Sequence, residues 1–227
     1  MKKILLVLTL AIVLYIPGRA QKETRDVGNF TYVSMGISGD LYLKQGNKTE
    51  VVLEGNDEAL ENIETDVSGN KLRIRTKNWK WYRNYSRVKI YVTLEKFEGA
   101  SVSGSGNLSS EGQLTGGDID LSVSGSGELD LDLDVQNISM SISGSGDISL
   151  SGNASSGNLR ISGSGKLDAI DLLADEYDIR ISGSGDARVN VSKSITSNIS
   201  GSGTVRYKGN PDKVYNHSSG SGTIRKI

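Results

Sequence analysis

The chain has no cysteine, and this absence closes off more options than any other feature of its 227 residues. Disulfides and thiolate chemistry are excluded. So is lipoprotein anchoring, which needs a cysteine just after the leader. A single histidine, His217, leaves little for zinc binding or for histidine-based proton transfer. Basic and acidic residues number 26 and 27, so the strongly basic balance of a nucleic-acid binder is missing too. Long hydrophobic runs are equally scarce. The apolar stretch 4–14 falls short of the roughly 20 residues that span a bilayer. It follows Lys2 and Lys3 and precedes Pro17, Gly18, Arg19 and Ala20, the pattern of a secretory signal peptide covering residues 1–20. Three of the basic residues lie in that leader, so the acidic excess grows from one to four after cleavage. The remainder, 21–227, is expected to be exported, without a membrane span, and long enough for one cored domain. Its final address could be the periplasm, the outer surface or the medium.

Glycine is abundant instead, with 28 residues. Many of these fall in seven copies of Ser-Gly-Ser-Gly that begin at Ser103, Ser124, Ser143, Ser162, Ser182, Ser200 and Ser219. The steps between copies are 21, 19, 19, 20, 18 and 19 residues, a period that signals a repeat architecture. The residue before each motif is Val102, Val123, Ile142, Ile161, Ile181, Ile199 and then Ser218. Beyond each motif, after one intervening residue, come Leu108, Leu129, Ile148, Leu167, Ala187, Val205 and Ile224. Apolar residues thus alternate with polar ones on both sides of the glycines, as in half-buried strands.

This parity predicts an all-β, single-domain parallel β-solenoid with coils of about 19 residues. Right-handed winding is the default for parallel crossovers. Successive coils stack their apolar positions about 4.8 Å apart into one core. The glycine pairs Gly104 and Gly106, Gly125 and Gly127, Gly144 and Gly146, and Gly163 and Gly165 are expected inward or at corners, where a side chain would not fit. The same applies to Gly183 and Gly185, Gly201 and Gly203, and Gly220 and Gly222. The serines point to water. The last repeat, with Ser218 in the apolar slot, reads as a terminal cap.

Residues 21–98 are less rich in glycine and read as an N-terminal capping part of the solenoid, with 99–227 as the regular part. Strand-like runs occur at 30–35, 40–43, 50–54, 71–75 and 88–94. Residues 56–63 read as one or two helical turns capped by Asn56. Ile37-Ser38-Gly39-Asp40-Leu41 looks like a shortened form of the repeat.

Two segments carry a resemblance: Phe30 to Leu43 (Phe-Thr-Tyr-Val-Ser-Met-Gly-Ile-Ser-Gly-Asp-Leu-Tyr-Leu), and Val102-Ser103-Gly104-Ser105-Gly106-Asn107-Leu108 with its later copies. On these the chain resembles the putative auto-transporter adhesin head (GIN) domain family, a domain of unknown function common in Bacteroidetes. The resemblance implies an exported β-solenoid with adhesin-like character. It supplies no catalytic residues.

Four constellations of residues bear on chemistry. Asp130, Asp132 and Asp134 alternate with leucines and read as the solvated face of one strand, not as the facing carboxylates of a glycosidase. The residue after each motif runs Asn107, Glu128, Asp147, Lys166, Asp186, Thr204 and Thr223, and a lysine at one level argues against a calcium ladder. Arg188, Arg206 and Arg225 share one offset and, in register, would stack into a basic row suited to acidic glycans or headgroups. Trp79, Trp81, Tyr82 and Tyr85 cluster in seven positions and could stack on sugar rings or cover a core edge. No catalytic residue, metal site or cofactor is expected. The expected function is a non-enzymatic, adhesin-like binding module for envelope or surface glycans or proteins, with no nucleic-acid partner. The alternatives are a polysaccharide lyase or hydrolase on a β-helix, or a periplasmic scaffold.

Overall fold

The computed structural model describes residues 21–77 and 88–227. The elements are β1 (Gln21–Arg25), β2 (Tyr32–Met35), β3 (Gly39–Gln45), β4 (Glu50–Gly55), α1 (Asp57–Asn62), β5 (Ile63–Ser68), β6 (Lys71–Thr76) and β7 (Val88–Leu94). They continue with β8 (Gly99–Gly104), β9 (Asn107–Thr115), β10 (Asp118–Gly125), β11 (Glu128–Gly144), β12 (Asp147–Gly163), β13 (Lys166–Gly183) and β14 (Asp186–Gly201). The last are β15 (Thr204–Lys208), β16 (Lys213–Gly220) and β17 (Thr223–Lys226). The seventeen strands among the described residues join one sheet that winds as a β-solenoid.

The alternation read from sequence is the register of the stack. Val102, Val123, Ile142, Ile161, Ile181, Ile199 and Ser218 pair in one column through parallel ladders. Leu108, Leu129, Ile148, Leu167, Ala187, Val205 and Ile224 form the matching column beyond the motif. Both columns are buried up to the last coil, where Ile224 is only partly covered. Each buried side chain therefore rests on its equivalents in the neighbouring coils, so the core is continuous and the stack cooperative. The motif serines are exposed, as their parity demands.

The two glycines of the motif do different jobs. The first takes a positive φ, +123° at Gly163, and turns the chain at a corner. The second has no positive φ and is closely packed where a Cβ would sit. A Cβ on Gly185 would lie 2.5 Å from Cγ2 of Ile161, so this glycine makes room for the β-branched residue of the coil before it. Backbone bonds stitch the corners: the Ser164 amide donates to the Gly144 carbonyl at 2.8 Å and the Lys166 amide to that of Gly146 at 3.2 Å.

The N-terminal part departs from simple coil order. β2 and β3 stack directly against β8 and β9, with Met35 level with Val102 and Leu41 with Leu108. On their other side lie β6 and β7, with Ile74 level with Met35 and Ile90 with Leu41. The earliest level in space is therefore later in sequence. The shortened repeat at 37–41 sits at the corner between β2 and β3, as a repeat unit should. Antiparallel strands then cover the N-terminal side: β5 on β6, β4 on β7 and β1 on β4. Neither β1 nor β5 was read from sequence. α1 begins as expected, with the Asn56 side chain accepting from the Ala59 amide at 2.8 Å.

A carboxylate ties segments of this N-terminal part to one another. Glu98 accepts from Thr31 Oγ1 at 2.6 Å and from Asn70 Nδ2 at 3.0 Å, and pairs with Lys96 at 2.6 Å. The Lys96 bond, followed by those of Thr31 and Asn70, lowers its pKa from 4.5 to about 2. A lowered folded-state pKa contributes stability above the unfolded value, and that contribution is lost as pH falls from 4.5 toward 2. Glu98→Gln is expected to melt lower at neutral pH and to show a flatter loss of stability between pH 5 and 2, measured by thermal denaturation across that range.

Two hydroxyls inside the core lack partners among the described residues. Ser197 is fully buried and its Oγ has no hydrogen-bond partner there, and neither has the hydroxyl of Tyr177. Burial pushes the Tyr177 phenol pKa upward. An unpaired buried hydroxyl costs about 1–3 kcal/mol. Ser197→Ala is therefore expected to raise thermal stability, by up to about 1 kcal/mol; a lower melting temperature would show that a hidden partner satisfies the hydroxyl.

Candidate functional site

The outward side chains form columns just as the inward ones do. The residue after each motif stacks as Asn107, Glu128, Asp147, Lys166, Asp186, Thr204 and Thr223. Lys166 thus lies between Asp147 and Asp186, an arrangement of alternating charge unlike an oxygen cage for calcium. Asp130, Asp132 and Asp134 lie on the solvent side of β11 between fully buried Leu129, Leu131 and Leu133. Asp132 accepts from Gln113 Nε2 at 3.1 Å.

Arg188, Arg206 and Arg225 fall into one row through the ladders of β14, β15 and β17. The row continues downward through Asp168, Ser149, Asp130 and Ser109 to Tyr42 and Tyr91. Arg188 pairs with Asp168 at 2.7 Å, which relieves the repulsion from the next arginine. Arg206 and Arg225 have no carboxylate partner among the described residues. At the far end Tyr42 and Tyr91 stack at 5.4 Å, and the Tyr91 hydroxyl donates to Glu54 Oε2 at 3.1 Å. This aromatic pair was not singled out from sequence, because its members lie 49 positions apart and meet only through the β3–β7 ladder. The four aromatics Trp79, Trp81, Tyr82 and Tyr85 lie outside the described residues.

A second row occupies the strands that lead into the glycine corner. Ser141, Arg160, Arg180, Asn198 and His217 stand level on β11, β12, β13, β14 and β16. Two residues further along each strand stand Ser143, Ser162, Ser182, Ser200 and Ser219. Between these walls runs an open trough of about 600 Å³, floored by Ile142, Ile161, Ile181 and Ile199. Arg180 pairs with Asp178 at 2.8 Å, while Arg160 has no carboxylate partner among the described residues. His217 is exposed on this wall, on the last full strand before the chain's final turn. A column taken two positions before each motif would have exposed the row. No single letter runs through it, since serines fill it in the early coils and arginines only in two.

The final coil is more open than a cap. β16 is exposed along most of its length, with Val214 at 44% and Tyr215 at 60%. Ser218 covers Ile199 in the ladder and turns its hydroxyl onto the Gly222 carbonyl at 2.9 Å.

Residues 29–211 match the family model described as "Putative auto-transporter adhesin, head GIN domain". Among solved structures, a putative adhesin from Bacteroides fragilis shares 28% identity over 92% of this chain and 97% of its own, with a TM-score of 0.86. A putative lipid binding protein from Parabacteroides distasonis is 22% identical over 93% of this chain and 98% of its own (TM-score 0.73). A putative adhesin from Parabacteroides merdae is 20% identical over 93% of this chain and 97% of its own (TM-score 0.71). The last two likenesses speak to the fold alone. No curated protein matches the chain. No helix among the described residues is long and apolar enough to cross a membrane.

Proposed function

Since the chain belongs to the auto-transporter adhesin head GIN domain family, we propose that it is an exported, non-enzymatic, adhesin-like module that binds envelope or surface glycans or proteins along its outer face. The observation that carries this reading is the unbroken stack. From β10 to β14 the coils pair residue by residue with only short bulges, so no inserted loop builds the wall of a catalytic cleft. What the coils present instead is a set of rigid columns of hydroxyls and charges. Weak contacts repeated along such a surface add through effective concentration, which is how a regular face gains affinity without a deep pocket.

The carboxylates of β11 share one solvated strand face and do not oppose each other across a groove, so the lyase or hydrolase alternative gains no support from them. Immobilised protein should retain one or more polymers from a panel of bacterial and host glycans and surface proteins, and should return them at full length. Retention of nothing on the panel would sink the binding-module reading. Release of reducing ends or unsaturated sugars would replace it with an enzyme.

A further inference from the structure

We infer that the trough beside the glycine corner binds a linear acidic polysaccharide lying along the solenoid axis, a claim that rests on the binding-module reading above. The trough crosses five successive strands, so an occupant that follows it runs perpendicular to the strands and meets one equivalent position per coil. Those positions repeat about every 4.8 Å, giving a length of roughly 19 Å from Ser141 to His217.

The wall chemistry selects the ligand class. Arg160 and Arg180 stand on adjacent coils, one of them unpaired among the described residues and the other held only by an exposed bridge to Asp178. Exposed bridges of that kind are weak, so Arg180 is free to exchange its partner for a ligand carboxylate or sulfate. Two guanidinium groups one coil apart match anionic substituents repeated along a chain, and each can hold an oxyanion through two parallel bonds. Above them Asn198 and His217 continue the wall with further hydrogen-bonding side chains. The facing wall is a ladder of serine hydroxyls, which serve sugar hydroxyls as both donor and acceptor. Among the described residues no tryptophan or tyrosine lines the trough, so a neutral sugar finds no indole or phenol ring there on which to stack. Two cations are also too few for a nucleic-acid backbone, whose binding rests on many phosphate contacts.

The test uses the whole exported chain and biolayer interferometry. The immobilised probes are polygalacturonate, a sulfated galactan, a neutral glucan of similar length, vesicles of phosphatidylglycerol with phosphatidylcholine, and a single-stranded DNA oligonucleotide. The wild type should bind the acidic polysaccharides, and R160A/R180A should lose about tenfold or more of that affinity while melting like the wild type. The variant R188A/R206A/R225A, on the other row, should bind as the wild type does. The galacturonate and sulfate arms tell which anionic group is preferred, and binding of either supports the inference. Unchanged binding by R160A/R180A, or stronger binding to the glucan, the vesicles or the DNA, overturns it. Binding that is lost only in the R188A/R206A/R225A variant overturns the trough and leaves the binding module standing. No binding to any probe here, or to any glycan or surface protein of the wider panel, removes both.

Discussion

Gly163→Val is expected to break the stack where it is made. Gly163 holds a φ of +123°, which an L-residue with a branched side chain adopts only under strain. Its Cβ would also run into the carbonyl of Gly144, the acceptor of the Ser164 amide. Strain of about 1–3 kcal/mol adds to overpacking of about 1–3 kcal/mol, a combined cost of roughly 4 kcal/mol. In a quasi-linear fold this damage is local at first. The coils on either side of β12 should separate in stability, with faster hydrogen exchange in β13 to β17 than in β2 to β10. Gly185→Val attacks the second glycine column, where the obstacle is the methyl of Ile161 at 2.5 Å and the carbonyl of Gly165 at 2.8 Å. It should cost somewhat less, because Gly185 does not hold a positive φ. Ser164→Ala, at an exposed site between the two glycine columns, should stay within about 0.5 kcal/mol of the wild type. A Gly163→Val protein that melts with the wild type would show that the corner does not need its glycine.

The second large effect is a coupled one between Gly157 and Tyr177. They are level on β12 and β13, and the tyrosine ring occupies the space that a Cβ on Gly157 would take. Gly157→Val alone should cost about 1–3 kcal/mol through overpacking. Tyr177→Ala alone should cost about 3–5 kcal/mol by opening a cavity in the core. Together the valine fills part of the space the ring left, so the double variant should be more stable than the sum predicts by about 1–3 kcal/mol. Tyr177→Phe should be neutral or slightly stabilising, because its hydroxyl has no partner to lose among the described residues. Strict additivity in the denaturant midpoints would mean that the two residues do not share a cavity.

How legible this molecule was depends on which residues are asked. Val102 to Ile199 and Leu108 to Val205 were readable because a solenoid fixes one residue per level, so a period in sequence becomes a column in space. The two motif glycines could not be told apart by letter. Gly163 is demanded by a backbone angle and Gly185 by the methyl of Ile161, and only the corner geometry separates these causes. The order of the N-terminal levels was hidden because β2–β3 insert between β6–β7 and β8–β9, a placement set by parallel edge pairing and not by chain order. Strand β1, Gln21 to Arg25, is polar throughout, so no alternation betrayed it. Arg188, Arg206 and Arg225 were found because three equal letters share an offset. Arg160 and Arg180 were missed because the same offset holds serine in the early coils and Asn198 and His217 in the later ones.

The most direct test of the account is a titration of the intact protein with size-graded acidic oligosaccharides. Binding through repeated weak contacts along the trough predicts affinity that climbs with ligand length, levels once the ligand fills roughly 19 Å, and leaves every oligosaccharide uncut. Equal affinity for the shortest and longest ligands would contradict the claim that the coils act together as one binding surface, and shortened products would contradict the claim that the surface only binds.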